Sequence, residues 1–254
     1  MNGDVGDRAR ADPLDALRRE PESAAIMLDF DGSLSEIVAR PELATPASGV
    51  REVLGDLAAR YRLVAMVSGR PTEDLYPLLR IPSVRYVGHY GRLVDQAPIR
   101  PEALAWARTA AGAVPGAWVE DKGWSAAVHY RQAEDPVAAR AALLEPLREI
   151  ARAEGLEVIE GKMVLELVPG GGGRKGEAVT RLIREAAARA ALFAGDDRAD
   201  LDAFAALDRL GPEGVAGVKV AVRGQETPPE LVEAADVVVE GPAGLVELLR
   251  GLLP

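Results

Sequence analysis

The feature that most constrains the fold is an apolar run that ends abruptly in acidic residues. Residues 25–28 are apolar without polar alternation, and Asp29, Phe30, Asp31 and Gly32 follow. Such a run is typical of a strand buried on both faces of a parallel sheet. Ligands of open α/β sheets bind at the carboxyl ends of these strands. Because residues two apart in an extended chain point the same way, Asp29 and Asp31 are predicted to converge on one centre.

The acidic pair supports two interpretations when it is considered alone. Two carboxylates this close repel each other unless a cation lies between them, and Mg²⁺ prefers carboxylate oxygens, phosphate oxygens and water. The same residues, with a glycine after them, are also typical of an ordinary turn that follows a strand. The fragment by itself favours neither.

Composition narrows the function classes. The chain has 254 residues, of which 48% are hydrophobic, so it can form one large or two modest globular domains. It carries 40 acidic and 30 basic residues, a net charge of -10, which disfavours a nucleic-acid partner. The absence of cysteine excludes disulfides, a thiolate nucleophile and cysteine-ligated zinc. Residues 1–13 are polar and no apolar run approaches a membrane span, so we expect a cytoplasmic monomer without a membrane partner.

The first part of the chain alternates predicted strands and helices, as an α/β domain does. A helical pattern near residues 48–60 precedes an apolar strand at 63–67, and Ser68, Gly69 and Arg70 follow that strand. Pro71 stands at a plausible first helical position, where anions bind well. A further short strand is predicted at residues 84–87, directly before a glycine and His89.

The middle of the chain has a different pattern of apolar and polar residues. Four alternating segments surround a helical stretch; the strands are predicted at 117–120, 125–131, 156–160 and 162–168, and the helix at 136–154. Alternation with one polar face favours an antiparallel sheet, so this part is interpreted as an inserted α+β cap. The α/β rhythm then resumes with a helix at 175–189 and strands at 191–194, 218–222 and 237–239. The predicted domains are core 1–96, cap 97–169 and core 170–254, with hinges near 95–98 and 170–173.

Four elements at the ends of α/β segments resemble the motifs of haloacid dehalogenase superfamily phosphatases. They are Asp29 with Asp31, Ser68 of VSGR, Lys175 of RKGE, and the GDDRAD segment with Asp196, Asp197 and Asp200. The resemblance implies an α/β fold with a parallel, Rossmann-like core sheet. It implies a nucleophilic Asp29, an acid/base Asp31, and Ser68 and Lys175 on the phosphoryl oxygens. It also implies Mg²⁺ on Asp29, the backbone carbonyl of Asp31 and Asp196, with Asp197 and Asp200 placing its waters or Lys175.

The cap segments resemble those of trehalose-6-phosphate phosphatases. The segments that resemble this family are VEDKG at 119–123, AAVHYR at 126–131 and GKMVLE at 161–166, together with VSGRP and GHYG in the core. The resemblance implies a sugar-phosphate substrate whose hydroxyls are held by Glu120, Lys122 and Glu166, since carboxylates accept and an ammonium donates. The core residues Gly69, Arg70 and His89 are further candidates for substrate binding. We interpret His129 as structural.

The chain departs from the family pattern at several positions. Ala199 and Leu201 replace a threonine and an acid of the last motif, Arg174 precedes the motif lysine, and Ser33 replaces threonine. The predicted activity is Mg²⁺-dependent hydrolysis of trehalose 6-phosphate. A phosphatase for a sucrose-type or mannosylglycerate-type phosphate is the alternative within the class. A sugar-phosphate sensor and a phospho-accepting regulatory domain are alternatives from other classes.

Overall fold

The chain folds into a large α/β core and a smaller α+β cap. The computed structural model describes residues 12–89, 99–169 and 175–254. The strands are β1 Ala24–Leu28, β2 Leu63–Val67, β3 Arg85–Val87, β4 Trp118–Asp121, β5 Ala126–His129, β6 Leu156–Gly161, β7 Val164–Pro169, β8 Ala190–Gly195, β9 Ala216–Arg223 and β10 Val237–Glu240. The helices are α1 Asp15–Arg19, α2 Val50–Arg60, α3 Thr72–Leu79, α4 Pro101–Gly112, α5 Pro136–Glu154, α6 Lys175–Ala186, α7 Asp200–Leu210, α8 Pro229–Ala234 and α9 Gly241–Arg250.

The core is built on a parallel sheet with strand order β10-β9-β8-β1-β2-β3. Strand β1 lies inside the sheet, paired in parallel with β2 on one side and β8 on the other. All its residues are buried, which explains the unbroken apolar run in the sequence. The predicted parallel α/β core is therefore confirmed.

Helices cover both faces of this sheet, because the alternate side chains of each strand point to opposite sides. Ile26 and Leu28 of β1 pack with apolar residues of α2 and α9, whereas Ala25 and Met27 pack with α6 and α7. The result is a three-layer arrangement. It leaves the carboxyl ends of the strands as the edge where polar side chains collect.

The cap contains an antiparallel sheet with strand order β4-β5-β7-β6. Helices α4 and α5 pack on one face, against Ala126 and Val128 of β5 and Leu165 and Leu167 of β7. The intervening residues of these strands point to the opposite face, which is free to line a cleft. The predicted inserted cap with one polar sheet face is thus observed.

Most of the predicted strands and helices lie within a few residues of their observed bounds. The predicted helix at 175–189 ends earlier, at Ala186, because Ala187 has a left-handed φ of 49° and Ala188 donates back to the carbonyl of Ile183 at 3.0 Å. Helix α4 was not recognised in the sequence. The described residues do not include the predicted boundary at 96/97 or the predicted hinges at 95–98 and 170–173. The second predicted boundary, 169/170, has only its first residue described. The exact domain limits therefore stay predictions. Within the described residues, no helix combines the length and apolarity that crossing a membrane requires.

Candidate active site

The polar residues that end the core strands meet at one edge of the sheet. Asp29 follows β1, Ser68 follows β2, and Asp196 follows β8, while Lys175 begins α6. The ladder continues one step past β1, because the Asp29 N–H donates to the Ala194 carbonyl at 2.9 Å. Parallel neighbouring strands therefore place these side chains together although they are far apart in the sequence.

Lys175 is the buried cation of this cluster. Its side chain is 3% exposed, and its ammonium donates to Oδ1 of Asp29 at 2.9 Å and to Oδ1 of Asp200 at 2.6 Å. A charge buried this deeply is stable only when it is paired and hydrogen-bonded. Lys175 thus fixes Asp29 in place and leaves its second oxygen for chemistry.

Asp200 organises the turn between β8 and α7. Its Oδ2 accepts from the backbone N–H groups of Asp196 and Asp197, both at 2.9 Å. Gly195 permits this close approach, because a Cβ at that position would lie 2.2 Å from the Asp200 carboxyl carbon. Both Asp200 oxygens are therefore used to hold Lys175 and the turn.

Asp196 is 1% exposed and lies against both the core and the cap. Ser33 donates to its Oδ1 at 3.2 Å, and Lys162 from the β6–β7 turn of the cap donates to its Oδ2 at 2.5 Å. Gly32 has a φ of 83°, and a Cβ there would lie 2.0 Å from Asp196 Oδ2. Glycine is thus required after Asp31 both for its backbone conformation and for space.

The clustered carboxylates have raised pKa values. Burial raises the pKa of Asp29 to about 7, opposed by Lys175 and reinforced by Asp196. Burial and the charge of Asp197 raise the pKa of Asp196 to about 7, and burial with Asp200 raises that of Asp197 to about 6. The largest cause of each shift is burial, and the neighbouring carboxylates add to it.

Asp31 lies at the mouth of the site in a bidentate ion pair. Arg70 Nε donates to one of its carboxylate oxygens and an Arg70 terminal nitrogen to the other, both at 2.7 Å. The guanidinium also lies over the Phe30 ring, 5.4 Å from its centroid. Ser68 Oγ accepts from the Arg70 N–H at 3.2 Å, so its own proton is directed elsewhere. Arg70 was predicted as a substrate contact, and in this structure its partner is Asp31.

The open face of the cap sheet supplies the opposite wall. Glu120 of β4 and Glu166 of β7 each lie opposite Ala127 of β5, so the two carboxylates share one row across the sheet. The small Ala127 side chain leaves room between them. Their common face follows from the two-residue period of a strand, since the apolar neighbours point to α4 and α5.

Each cap carboxylate has a fixed set of partners. Glu166 is 2% exposed, accepts from Ser125 Oγ at 2.6 Å and lies 3.3 Å from the Lys122 ammonium. Glu120 lies 2.8 Å from Nε2 of His129, whose ring stacks on Trp118 at 4.3 Å between centroids. Burial acts to raise the pKa of Glu120, but the His129 hydrogen bond and Lys122 outweigh it and lower this pKa. These groups are placed to accept from and donate to hydroxyls.

Core and cap enclose a cleft of about 970 Å³, counting the part open to solvent. Its lining brings together most of the predicted site: Asp29, Asp31, Ser68, Gly69, Arg70, Glu120, Lys122, Glu166, Lys175 and Asp197. His89, Asp196 and Asp200 are not part of the lining that the described residues form.

Other residues of this region were missed or interpreted differently in the sequence. Lys162 and Arg131 line the cleft, and His129, which we interpreted as structural, lines it as well while holding Glu120. Asp202 accepts from the N–H of Gly176 at 2.8 Å and so fixes the first turn of α6, which carries Lys175. A turn lysine and a helical aspartate give no distinctive sequence signal, so only the tertiary structure identifies them.

The donor set suits a divalent cation. One carboxylate oxygen from each of Asp29, Asp196 and Asp200 lies within 4.8 Å of the others, and all three residues are buried. Carboxylate oxygens are the protein ligands of hard cations such as Mg²⁺. Asp200 is held by Lys175 and two backbone amides, and Asp196 by Ser33 and Lys162, so a cation bound directly by Asp196 would have to displace one of these donors.

Comparisons with known proteins agree with this architecture. The C-terminal domain of a Candida albicans trehalose-6-phosphate phosphatase superposes with a TM-score of 0.81 over 94% of each chain, at 22% identity. A haloacid dehalogenase-like hydrolase from Bacteroides thetaiotaomicron covers 91% of this chain and 99% of its own with a TM-score of 0.62, at 16% identity. The fold is therefore that of a haloacid dehalogenase-like hydrolase with a cap.

The sequence comparisons narrow the class. A family model described as trehalose-phosphatase matches residues 27–230, so this chain belongs to the trehalose-phosphatase family. A trehalose-phosphate phosphatase of Mycobacterium marinum is 34% identical over 96% of this chain and 66% of its own length. The chain thus spans about two thirds of the length of the curated relatives it matches. The family resemblance stated from the motifs is confirmed.

Proposed function

We propose that this protein is a Mg²⁺-dependent phosphatase that hydrolyses trehalose 6-phosphate to trehalose and phosphate. The observation that carries the proposal is one cleft with two unlike walls. The core wall presents Asp29 beside the buried Lys175, and the cap wall presents Glu120 and Glu166 in a row. A phosphate ester on a polyhydroxylated sugar matches both walls. Family membership and the name of the Mycobacterium marinum relative support this substrate.

In the proposed reaction an oxygen of Asp29 attacks phosphorus while the bond from phosphorus to the sugar oxygen breaks. Asp31 gives its proton to the departing sugar oxygen. Trehalose is released, and Asp29 then carries the phosphoryl group as an aspartyl phosphate. Asp31 then takes a proton from the attacking water, and the acyl–phosphate bond breaks to release phosphate and restore Asp29. Because Arg70 engages both oxygens of Asp31 in this structure, one of these contacts must be released before proton transfer.

The remaining polar groups bind and orient the phosphoryl group. Ser68 and Lys175 would hold its equatorial oxygens, where the transition state spreads its charge. Asp29, the Asp31 carbonyl and Asp196 would hold Mg²⁺, with Asp197 and Asp200 fixing its surroundings. The ion supplies positive charge next to the phosphoryl oxygens. Gly69 and Arg70 complete the proposed substrate side of the core. His89, predicted as a substrate contact, is instead buried outside the cleft lining that the described residues form, and it accepts from the Trp124 indole of the cap.

Phosphate release from a panel of sugar phosphates, with Mg²⁺ and with EDTA, tests the proposal. We expect trehalose 6-phosphate to be hydrolysed in preference to sucrose and mannosylglycerate phosphates, and only with the metal. Asp29→Asn should abolish release while binding, followed by calorimetry, persists. Asp56→Asn on the exposed face of α2 is the matched control. Preference for another sugar phosphate would refute the substrate, and binding without release by the unaltered protein would indicate a sensor.

We also propose that the protein acts as a monomer in the cytoplasm, without nucleic-acid or membrane partners. A sugar phosphate is charged and does not cross an apolar bilayer readily, so its hydrolase must share its compartment. The net charge of -10 opposes association with polyanions. Light scattering after gel filtration should give one chain mass, and a larger mass would refute the monomer.

A further inference from the structure

A contact between Trp124 and His89 joins the cap to the core. Trp124 lies in the turn between β4 and β5, and His89 lies two residues after β3. The Trp124 indole N–H donates to Nδ1 of His89, and the two rings meet edge to face with centroids 4.8 Å apart. His89 is 7% exposed and Trp124 is half-buried, so the contact is partly shielded from water.

The core holds His89 rigidly in the orientation that receives the indole. Its backbone is in the left-handed region, with a φ of 53°, and its N–H donates to the Arg70 carbonyl at 2.9 Å. Gly88 before it donates to Thr72 Oγ1 at 3.1 Å. A left-handed conformation is uncommon for a residue other than glycine, so the surrounding hydrogen bonds must sustain it.

The chemistry of the two rings fixes the protonation state of His89. An indole N–H is a donor only, so Nδ1 must be an unprotonated acceptor and the imidazole must be neutral. Burial lowers the pKa of His89 more than Glu73 raises it. The other charged groups that face the ring are Lys122, which lowers this pKa, and Glu166 and Asp74, which raise it.

The Trp124 turn also carries the groups that hold Glu166. Lys122 N–H donates to the Ser125 carbonyl at 3.0 Å, which closes the turn. The side chains of these same residues both contact Glu166 Oε1, at 3.3 Å for Lys122 and 2.6 Å for Ser125. Docking of Trp124 on the core therefore determines where Lys122 and Ser125 lie relative to the catalytic edge.

We propose that Trp124 is a positioning residue: its indole docks the β4–β5 turn on neutral His89 and thereby places Lys122 and Glu166 over the sugar. This role rests on the proposed function for its substrate, but the docking contact does not. Trp124 itself need not touch the sugar. Acidification that protonates His89 should release the turn, since imidazolium has no acceptor.

Indole NMR tests the docking contact directly. The chain has three tryptophans, so a protein with ¹⁵N-labelled indoles should give three N–H signals, each assigned by its Trp→Phe variant. We expect the Trp124 signal to lie downfield, to exchange slowly and to move on acidification. His129→Gln should not change the pH dependence of the Trp124 signal. This control shows that the pH dependence does not arise from the Trp118–His129 stack. A Trp124 signal like that of the exposed Trp106, unchanged by pH, would overturn the docking.

Kinetics test the positioning role. With the best substrate of the sugar-phosphate panel, Trp124→Phe should lower kcat/KM by about fivefold, mainly through KM, which corresponds to one hydrogen bond. Trp106→Phe, at a 47% exposed position, is the control. Hydrolysis of p-nitrophenyl phosphate, which lacks sugar hydroxyls, should change less than twofold. His89→Gln, which offers an amide oxygen to the indole, should retain more sugar-phosphate activity than His89→Leu.

The possible failures are distinguishable. Equal losses for both substrates, or no loss for either, would refute positioning even if the NMR contact is present. If trehalose 6-phosphate is not the preferred panel substrate, the proposed function fails, while the NMR titration and the comparison of a sugar with a non-sugar substrate still decide the role of Trp124.

Discussion

Lys175→Met tests how far the buried carboxylates of the site depend on the charge of Lys175. The lysine side chain is 3% exposed, and its ammonium bonds Asp29 at 2.9 Å and Asp200 at 2.6 Å. Methionine keeps most of the side-chain volume and removes the charge, which leaves two buried carboxylates uncompensated. Removing one partner of a buried ion pair costs about 3–5 kcal/mol. Since 1 kcal/mol lowers the Tm of a domain of this size by about 2–4 °C, we expect a decrease of about 10 °C.

Thermal and urea unfolding in EDTA, at about pH 8 and again at about pH 5.5, measure this effect and its sign. The difference from the unaltered protein should shrink at the lower pH, because protons then neutralise the carboxylates that Lys175 no longer faces. Lys219→Met is the control, since Lys219 pairs at 2.9 Å with an Asp208 side chain that is 63% exposed. Such a surface pair contributes about 1 kcal/mol or less. A Lys175→Met protein as stable as this control at the higher pH would refute the reasoning.

Three further predictions concern the cap, helix α6 and the titrating cluster. Glu166→Gln should raise KM for trehalose 6-phosphate about tenfold with a smaller change in kcat, since a charged acceptor becomes neutral. Steady-state kinetics check this, with Glu149→Gln at an exposed position as the control. An unchanged KM would contradict it. Asp202→Ala removes the acceptor for the first turn of α6. We expect the free energy of unfolding to fall by about 1 kcal/mol and kcat to fall as well. Urea unfolding and kinetics check this, and the absence of both changes would contradict it. In EDTA the Tm should fall as pH rises towards 7, because burial raises the pKa of Asp29 and Asp196 to about 7 and the native state then holds protons that the unfolded chain has released. Mg²⁺ should reduce this fall, and a metal-free protein that gains stability over that range would oppose the reasoning.

The core was predictable because its chemistry lies where strands end. The abrupt change from apolar residues to Asp29 marks both a buried strand and a site, and Ser68 follows β2 in the same way. These inferences need only local patterns and the topology of a parallel sheet. Glu120 and Glu166, in contrast, were predicted only from the resemblance of the cap segments to a known family.

The remaining contacts depend on how the cap lies against the core, which no local pattern encodes. Lys162 was assigned to a strand, yet it lies in a turn and donates to Asp196 across the two domains. The pairing of Trp124 with His89 joins residues whose neighbours give no hint of each other. Helix α4 was missed because its buried face consists largely of alanines, such as Ala103 and Ala107, which give a weak apolar period.

The charge balance of the site connects its chemistry with its stability. The cluster contains four carboxylates, Asp29, Asp196, Asp200 and the half-buried Asp197, and its ammonium partners among the described residues are Lys175 and Lys162. Among the described residues, burial and the neighbouring carboxylates raise the pKa of Asp29 and of Asp196 to about 7, so these oxygens hold protons near neutral pH. Protons and a metal ion must therefore compete for these oxygens. Lys162 reaches this cluster from the cap, so part of the compensating charge arrives only when cap and core are in contact. The contact that places the Glu120 and Glu166 face of the cap over the core thus also stabilises the acidic cluster, and under the proposed function it would couple substrate enclosure to the charges around Asp29.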